Sequence, residues 1–238
     1  MLRDNKGRAR MARLVFFLLM LDTAGVVVLN LLGQGQPDWN NVAEGASSAF
    51  TAAVYYGYVL LTMGYLALLV TSYIMLIMWL RRAYYNLHQL PNIYPDYSDG
   101  WAAGAWFVPF INFVRPFIIM REVWQDTQRA AWGRVTQPAT ILNWWWAAFI
   151  LTMIVGRITS KIGGDSSGIA REDLLASVFD AGSHLISVTL TWYVIGRIAV
   201  FEKDLTLRQQ VDLLGQSEAL PAPQVQVEQS NYALEEGY

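Results

Sequence analysis

Trp101-Ala102-Ala103-Gly104-Ala105-Trp106-Phe107-Val108-Pro109-Phe110-Ile111-Asn112-Phe113-Val114-Arg115-Pro116-Phe117-Ile118-Ile119-Met120 is the stretch on which the architecture turns. A helix rises 1.5 Å per residue, so about 20 apolar residues cross a hydrocarbon core of about 30 Å. This run is that long, yet two features argue against a crossing. Pro109 and Pro116 each remove a backbone donor. Arg115 placed deep in lipid costs about 2.5–3.5 kcal/mol. We read 101–124 as one or two short helices lying in, or dipping into, the cytoplasmic face of a membrane, with Trp101, Trp106 and Trp124 at headgroup level. Broken backbone at membrane depth is tolerated only where it packs in protein or lines a wet cavity, so the segment is expected to lie on a helical core.

Outward from it, the composition is that of a membrane chain. Of 238 residues, 54% are hydrophobic and 15% charged, where a soluble domain carries about a quarter charged. Four predominantly apolar segments are long enough to cross, at 14–32 (interrupted only by Asp22 and Asn30), 52–80, 139–158 and 174–200. The expected fold is therefore an all-α integral membrane protein with four transmembrane helices plus the broken segment. The first span reads as an uncleaved anchor: Asp22 occupies position −3 of the small-residue site at Ala24, and the apolar run resumes at Val26. Lys and Arg number 17 against 19 Asp and Glu, which argues against nucleic acid as a partner. The absence of cysteine excludes disulfides, thiolate metal sites and cysteine nucleophiles, and two histidines cannot build a three-imidazole zinc site.

Sidedness follows the basic residues. They concentrate in the leader 1–13, in the connection after the second span (Arg81, Arg82, Arg115, Arg121, Arg129, Arg134) and after the fourth (Arg197, Lys203, Arg208). Only Arg157, Lys161 and Arg171 fall opposite. Both termini are thus expected in the cytoplasm and the loops 33–51 and 159–173 outside. The tail 201–238 begins with helical spacing, then turns Pro-, Gln- and Glu-rich (Glu218, Glu228, Glu235, Glu236) and reads as partly disordered.

Polar residues within spans are functional candidates by default. Ser177, Asp180, His184, Ser187 and Thr191 recur at intervals of three or four and share one helix face. Asp22 and Asn30 share a face of the first span, and Thr140, Asn143, Ala147 and Arg157 form a stripe on the third. These faces are expected to meet in the interior, with Arg157 pairing Asp180. Gly57 and Gly64 mark a face where another helix comes close. Three readings of the fourth-span stripe stand side by side: interhelical hydrogen bonding, which leads; a proton or solute path on Asp22, Asp180 and His184; and His184 as a ligand to haem or a chlorophyll-type pigment. A hydrolase on Asp180, His184 and Ser187 lacks visible oxyanion donors. Arg81, Arg82, Arg115 and Arg121, with Trp101, Trp106 and Trp124, suggest interfacial anchoring or docking of anionic lipid or an acidic partner.

Trp79-Leu80-Arg81-Arg82-Ala83-Tyr84-Tyr85-Asn86-Leu87, the quoted Trp-Phe-x-Pro-x-x-Asn-x-x-x-Pro string, Met120-Arg121-Glu122-Val123-Trp124, Asn143-Trp144-Trp145-Trp146 and Gly196-Arg197-Ile198 together resemble a bacterial multi-pass membrane family. It is catalogued as domain of unknown function four-three-two-eight, and the resemblance covers roughly residues 50–210. Pro91 stands where the family usually has Gly. The resemblance implies a bacterial inner-membrane protein and supplies no substrate. The expected role is a non-enzymatic accessory or scaffold subunit contacting lipid and other membrane proteins, or a homo-oligomer, with no cofactor and no metal. The alternatives are a small proton-coupled transporter or channel built on Asp22, Asp180 and His184, and a haem- or pigment-binding subunit using His184.

Overall fold

Ser48 begins the longest uninterrupted apolar helix by capping it: its hydroxyl accepts the Thr51 N–H at 3.1 Å. Asp38, upstream, accepts the Ser48 N–H and the Thr51 hydroxyl. Those two donors hold the Asp38 carboxyl below its ordinary value. The computed structural model describes residues 2–34, 36, 38–45, 47–162 and 171–218. Among them the elements are α1 (Lys6–Gln34), α2 (Ala49–Leu87), the short α3 (Trp101–Gly104), α4 (Arg115–Trp132), α5 (Thr140–Ile162) and α6 (Arg171–Glu218), with 3₁₀ turns at Trp39–Glu44 and Ile111–Phe113. No strand occurs among the described residues.

Four of these helices, α1, α2, α5 and α6, are long and apolar enough to cross a membrane. The chain is a four-span helical membrane protein. At 39 and 48 residues, α2 and α6 measure about 58 and 72 Å, so both project well beyond a core of about 30 Å. The region 201–218 continues α6, as its helical spacing anticipates. The loop stretch 163–170 and the tail 219–238, with Glu228, Glu235 and Glu236, lie outside the described residues.

α1 packs along α2 and α6, α5 packs along α6, and α4 crosses α6 and α2. The tightest packing gathers at the end carrying the Arg-rich segments, called here the basic end. Trp79, Leu80, Tyr84, Ile119, Met120, Trp124, Ile195 and Phe201 are wholly buried there. The N-terminal residues are stitched into this core. Asn86 accepts the Arg3 N–H and donates to the Arg3 carbonyl. Asn5 donates to the Glu202 carboxylate at 2.9 Å, and the Arg13 guanidinium lies 4.2 Å over the Trp192 ring. Gly196 leaves room for that arginine, since a Cβ there would stand 3.1 Å from it.

The quoted stretch does not cross. α4 is amphipathic, burying Ile119, Met120, Val123, Trp124, Thr127 and Ala131 and exposing Arg121 and Arg129, and it ends on Gly133 at φ 75°. Gln128 fixes the turn into α5 by accepting the Thr136 and Gln137 N–H groups and donating to the Gln137 carbonyl. Before α4 the chain dips along α5. Trp106 meets Phe149 and Trp146 edge-on at 5.9 and 6.4 Å, and the Trp146 indole donates to the Phe113 carbonyl at 3.1 Å. Trp146 and Phe149 lie six and nine residues beyond Thr140, about 9–14 Å along the helix. The segment therefore packs on the core, as its broken backbone requires.

Trp124 departs from its expected headgroup position. It is 1% exposed, lies edge-on to Phe201 at 5.0 Å and donates to the Gln137 carbonyl. α4 buries the face carrying Trp124 against α6, and the indole finds its acceptor inside the protein rather than at a lipid surface.

Tyr84 donates to Glu122 at 2.6 Å and the Asp96 N–H reaches the other carboxylate oxygen at 3.3 Å. Burial pushes the Glu122 carboxyl above its ordinary value, outweighing both donors. A carboxyl raised in the folded state stabilises that state while protonated, and the contribution fades as pH rises through the folded value. Detergent melting temperatures should therefore fall as pH rises above 4.5, and Glu122→Gln should flatten that fall. An unchanged pH slope in Glu122→Gln would contradict the assignment.

Candidate functional site

Small residues bring the polar faces together. A Cβ at Gly25 would lie 2.8 Å from Leu61, and one at Gly57 would lie 3.2 Å from Leu29, so α1 and α2 approach closely. Each membrane aspartate sits against a glycine of a neighbouring helix. Asp22 Oδ1 lies 3.3 Å from the Cβ position of Gly64 on α2, and Asp180 Oδ1 lies 3.7 Å from that of Gly156 on α5.

Tyr65 of α2 follows Gly64 directly and meets His184 of α6. Its hydroxyl is 3.2 Å from His184 Nε2, the rings meet edge-on at 5.3 Å, and Tyr65 is within electrostatic reach of both Asp180 and Asp22. Asp22 Oδ2 and His184 Nδ1 are buried without a hydrogen-bond partner. A cavity of about 240 Å³ opens beside His184, lined by Asn30, Tyr58, Thr62, Tyr65, Asp180 and His184 among others, with no Lys or Arg in its wall among the described residues.

Below the cavity the α6 stripe turns from ionisable to hydroxyl groups. His184, Ser187 and Thr191 are buried, and Ser183 donates to the Asp180 carbonyl. Thr152 of α5 reaches the Ser183 carbonyl at 3.2 Å, and the Trp145 indole donates to Thr191 at 2.9 Å. The side chain of Ser177 lies outside the described residues.

The third-span stripe is corrected. Thr140, Asn143, Ala147 and Arg157 occupy the exposed face of α5, while Leu142, Trp145, Ala148 and Val155 turn inward. The reason is volume: Trp145 fills the gap against α6, its N–H satisfied by Thr191, and that orientation carries Asn143 and Arg157 outward. Asp180 consequently faces Gly156 rather than sharing an interior stripe with Arg157.

The basic residues also divide. Arg8 lies in the field of Arg82, Arg81 and Arg3, which makes one cationic patch at the ends of α1 and α2. Arg121 is exposed with Phe117 beneath it at 5.8 Å. Arg115 instead stacks on Trp101 at 3.9 Å and Tyr97 at 4.8 Å.

Tyr65 is the member that reading the spans missed. Tyr58, Thr62 and Tyr65 recur at four and three residues, a helical stripe concealed because tyrosine and threonine pass as apolar in a span. The cavity measures about 240 Å³, and Nε2 of His184 faces Tyr65 while its Nδ1 has no hydrogen-bond partner. Among the described residues no three His, Asp or Glu side chains converge on a metal position.

The fold and this cluster define a four-span helical membrane protein with ionisable groups gathered inside the bundle. Residues 42–203 match the family described as Domain of unknown function (DUF4328), and the chain belongs to that family. No curated protein and no solved structure matches the chain. Tyr65, Asp180 and His184 fall within the matched region, and Asp22 precedes it.

Tyr65→Phe strands His184 Nε2 in the interior and should lower detergent stability by about 1–3 kcal/mol. His184→Phe added to it removes the orphan, so the double variant should melt closer to the parent than the sum of single losses. Additive losses would refute the contact.

Proposed function

We propose that this chain is a small proton-coupled transporter or channel, in which Asp22, Tyr65, Asp180 and His184 are the protonatable set. The observation carrying this reading is that residues of α1, α2 and α6 meet at one cavity whose wall, among the described residues, holds a carboxylate and an imidazole but no Lys or Arg. A carboxylate in such surroundings needs a proton or a bound cation to neutralise it, since hydrocarbon solvates no charge. The membrane is the bacterial inner membrane and the basic end faces the cytoplasm, in line with the Arg-rich segments collected there.

A non-enzymatic accessory or scaffold role has separate support. Leu60, Met63, Leu66 and Val70 on α2 are 70%, 70%, 62% and 52% exposed, a continuous apolar face for lipid or for another membrane protein.

Reconstitution into vesicles under an imposed pH gradient separates the two. Proton entry above that of empty vesicles, lowered at least about tenfold in Asp180→Asn and in Asp22→Asn, is the expected result, because each substitution removes a titrating group from the path. Parent protein no faster than empty vesicles would reject the transport reading. Mild purification as a stoichiometric complex would then favour the scaffold.

A further inference from the structure

The dipping segment holds a cation that pairs with no carboxylate among the described residues. The Arg115 Cζ lies 3.9 Å from the Trp101 ring centroid and 4.8 Å from that of Tyr97, and its Nη1 is buried without a hydrogen-bond partner. A guanidinium that no carboxylate engages keeps N–H donors able to hold an oxyanion through two parallel hydrogen bonds. The Trp106 indole N–H, nine residues earlier, is also buried and unpartnered, as is Asn112 Oδ1.

Directly before Arg115 the chain forms an apolar tip. Phe107, Phe110, Phe113 and Val114 are 75%, 84%, 45% and 55% exposed, and Phe110 sits at φ 65° on the turn. Four large apolar side chains exposed within eight residues suit hydrocarbon rather than water. The contacts of this segment with Trp146 and Phe149 place it alongside the crossing part of α5. A guanidinium adjoining an apolar tip matches a molecule with a charged head and apolar tails.

We infer that Arg115 binds the phosphate of an anionic phospholipid, whose acyl chains lie along Phe107 and Phe110. The unpaired cation favours a headgroup with net negative charge over a zwitterion, and exposed Arg121 adds to the same field. The site is separate from the Asp22–His184 cluster and does not depend on transport.

Native mass spectrometry of the full chain, released from nanodiscs of equal phosphatidylglycerol and phosphatidylcholine, tests the site. Retained phosphatidylglycerol should exceed phosphatidylcholine by about tenfold, because both offer a phosphate and only phosphatidylglycerol keeps a net negative charge for the guanidinium. Arg115→Gln should bring the two to parity, while Arg121→Gln should leave most of the preference. Equal retention by the parent protein would overturn the inference, and so would inorganic phosphate protecting the detergent-solubilised protein as well as phosphatidylglycerol does. A second measurement stands apart from any folding loss in Arg115→Gln. The chain has no cysteine, so Phe110→Cys takes one spin label. That label should be relaxed by oxygen more than by a water-soluble nickel chelate, and the reverse order would place the tip in water and defeat the proposal.

Discussion

In hydrocarbon a polar side chain has no water to turn to, so every polar group on a spanning helix must be met by another part of the protein. That constraint organises this bundle. The hydroxyls of Thr23, Thr62, Thr71 and Thr191 donate back to carbonyls four residues earlier, which satisfies them without a neighbour. Groups too large or too charged for that solution are met across helices: Trp145 by Thr191, Tyr65 by His184, and each aspartate by a glycine that makes room for it. Among the described groups left unmet are Asp22 Oδ2 and His184 Nδ1, and His184 lines the cavity together with Asp180.

A second arrangement occupies the basic end. There α4 and the N-terminal residues close over α2 and α6, and Trp79, Trp124 and Phe201 are as fully buried as the core of a soluble domain. The spanning parts meet through glycines and hydroxyls between helices, and their outer faces are apolar. The dipping segment joins the two regions, because it enters from the basic end and rests on Trp146 and Phe149 of α5.

Much of this was readable from residue order. Two prolines seven positions apart, with Arg115 between them, argue against a crossing from residue order alone, since the missing donors and the charge are local properties. The four spans follow from length and apolarity in the same way. The α6 stripe was equally visible, because 3.6 residues per turn places Asp180, His184, Ser187 and Thr191 on one face whatever lies opposite.

Which way a stripe points is a different matter, and on α5 the polar one points outward. A helix exposes one face and buries another according to the side chains that best fill the gap beside it. On α5 the indole of Trp145, with Thr191 to accept its N–H, outranks Asn143. Trp124 became core rather than anchor for the same reason, and Tyr65 joined the aspartates only because Gly25, Gly57 and Gly64 let α1 and α2 close up. Periodicity and local cost set the elements and their polar faces. The partners of those faces were settled by packing between segments more than a hundred residues apart, as Tyr65 and His184 are, and no local pattern encodes that.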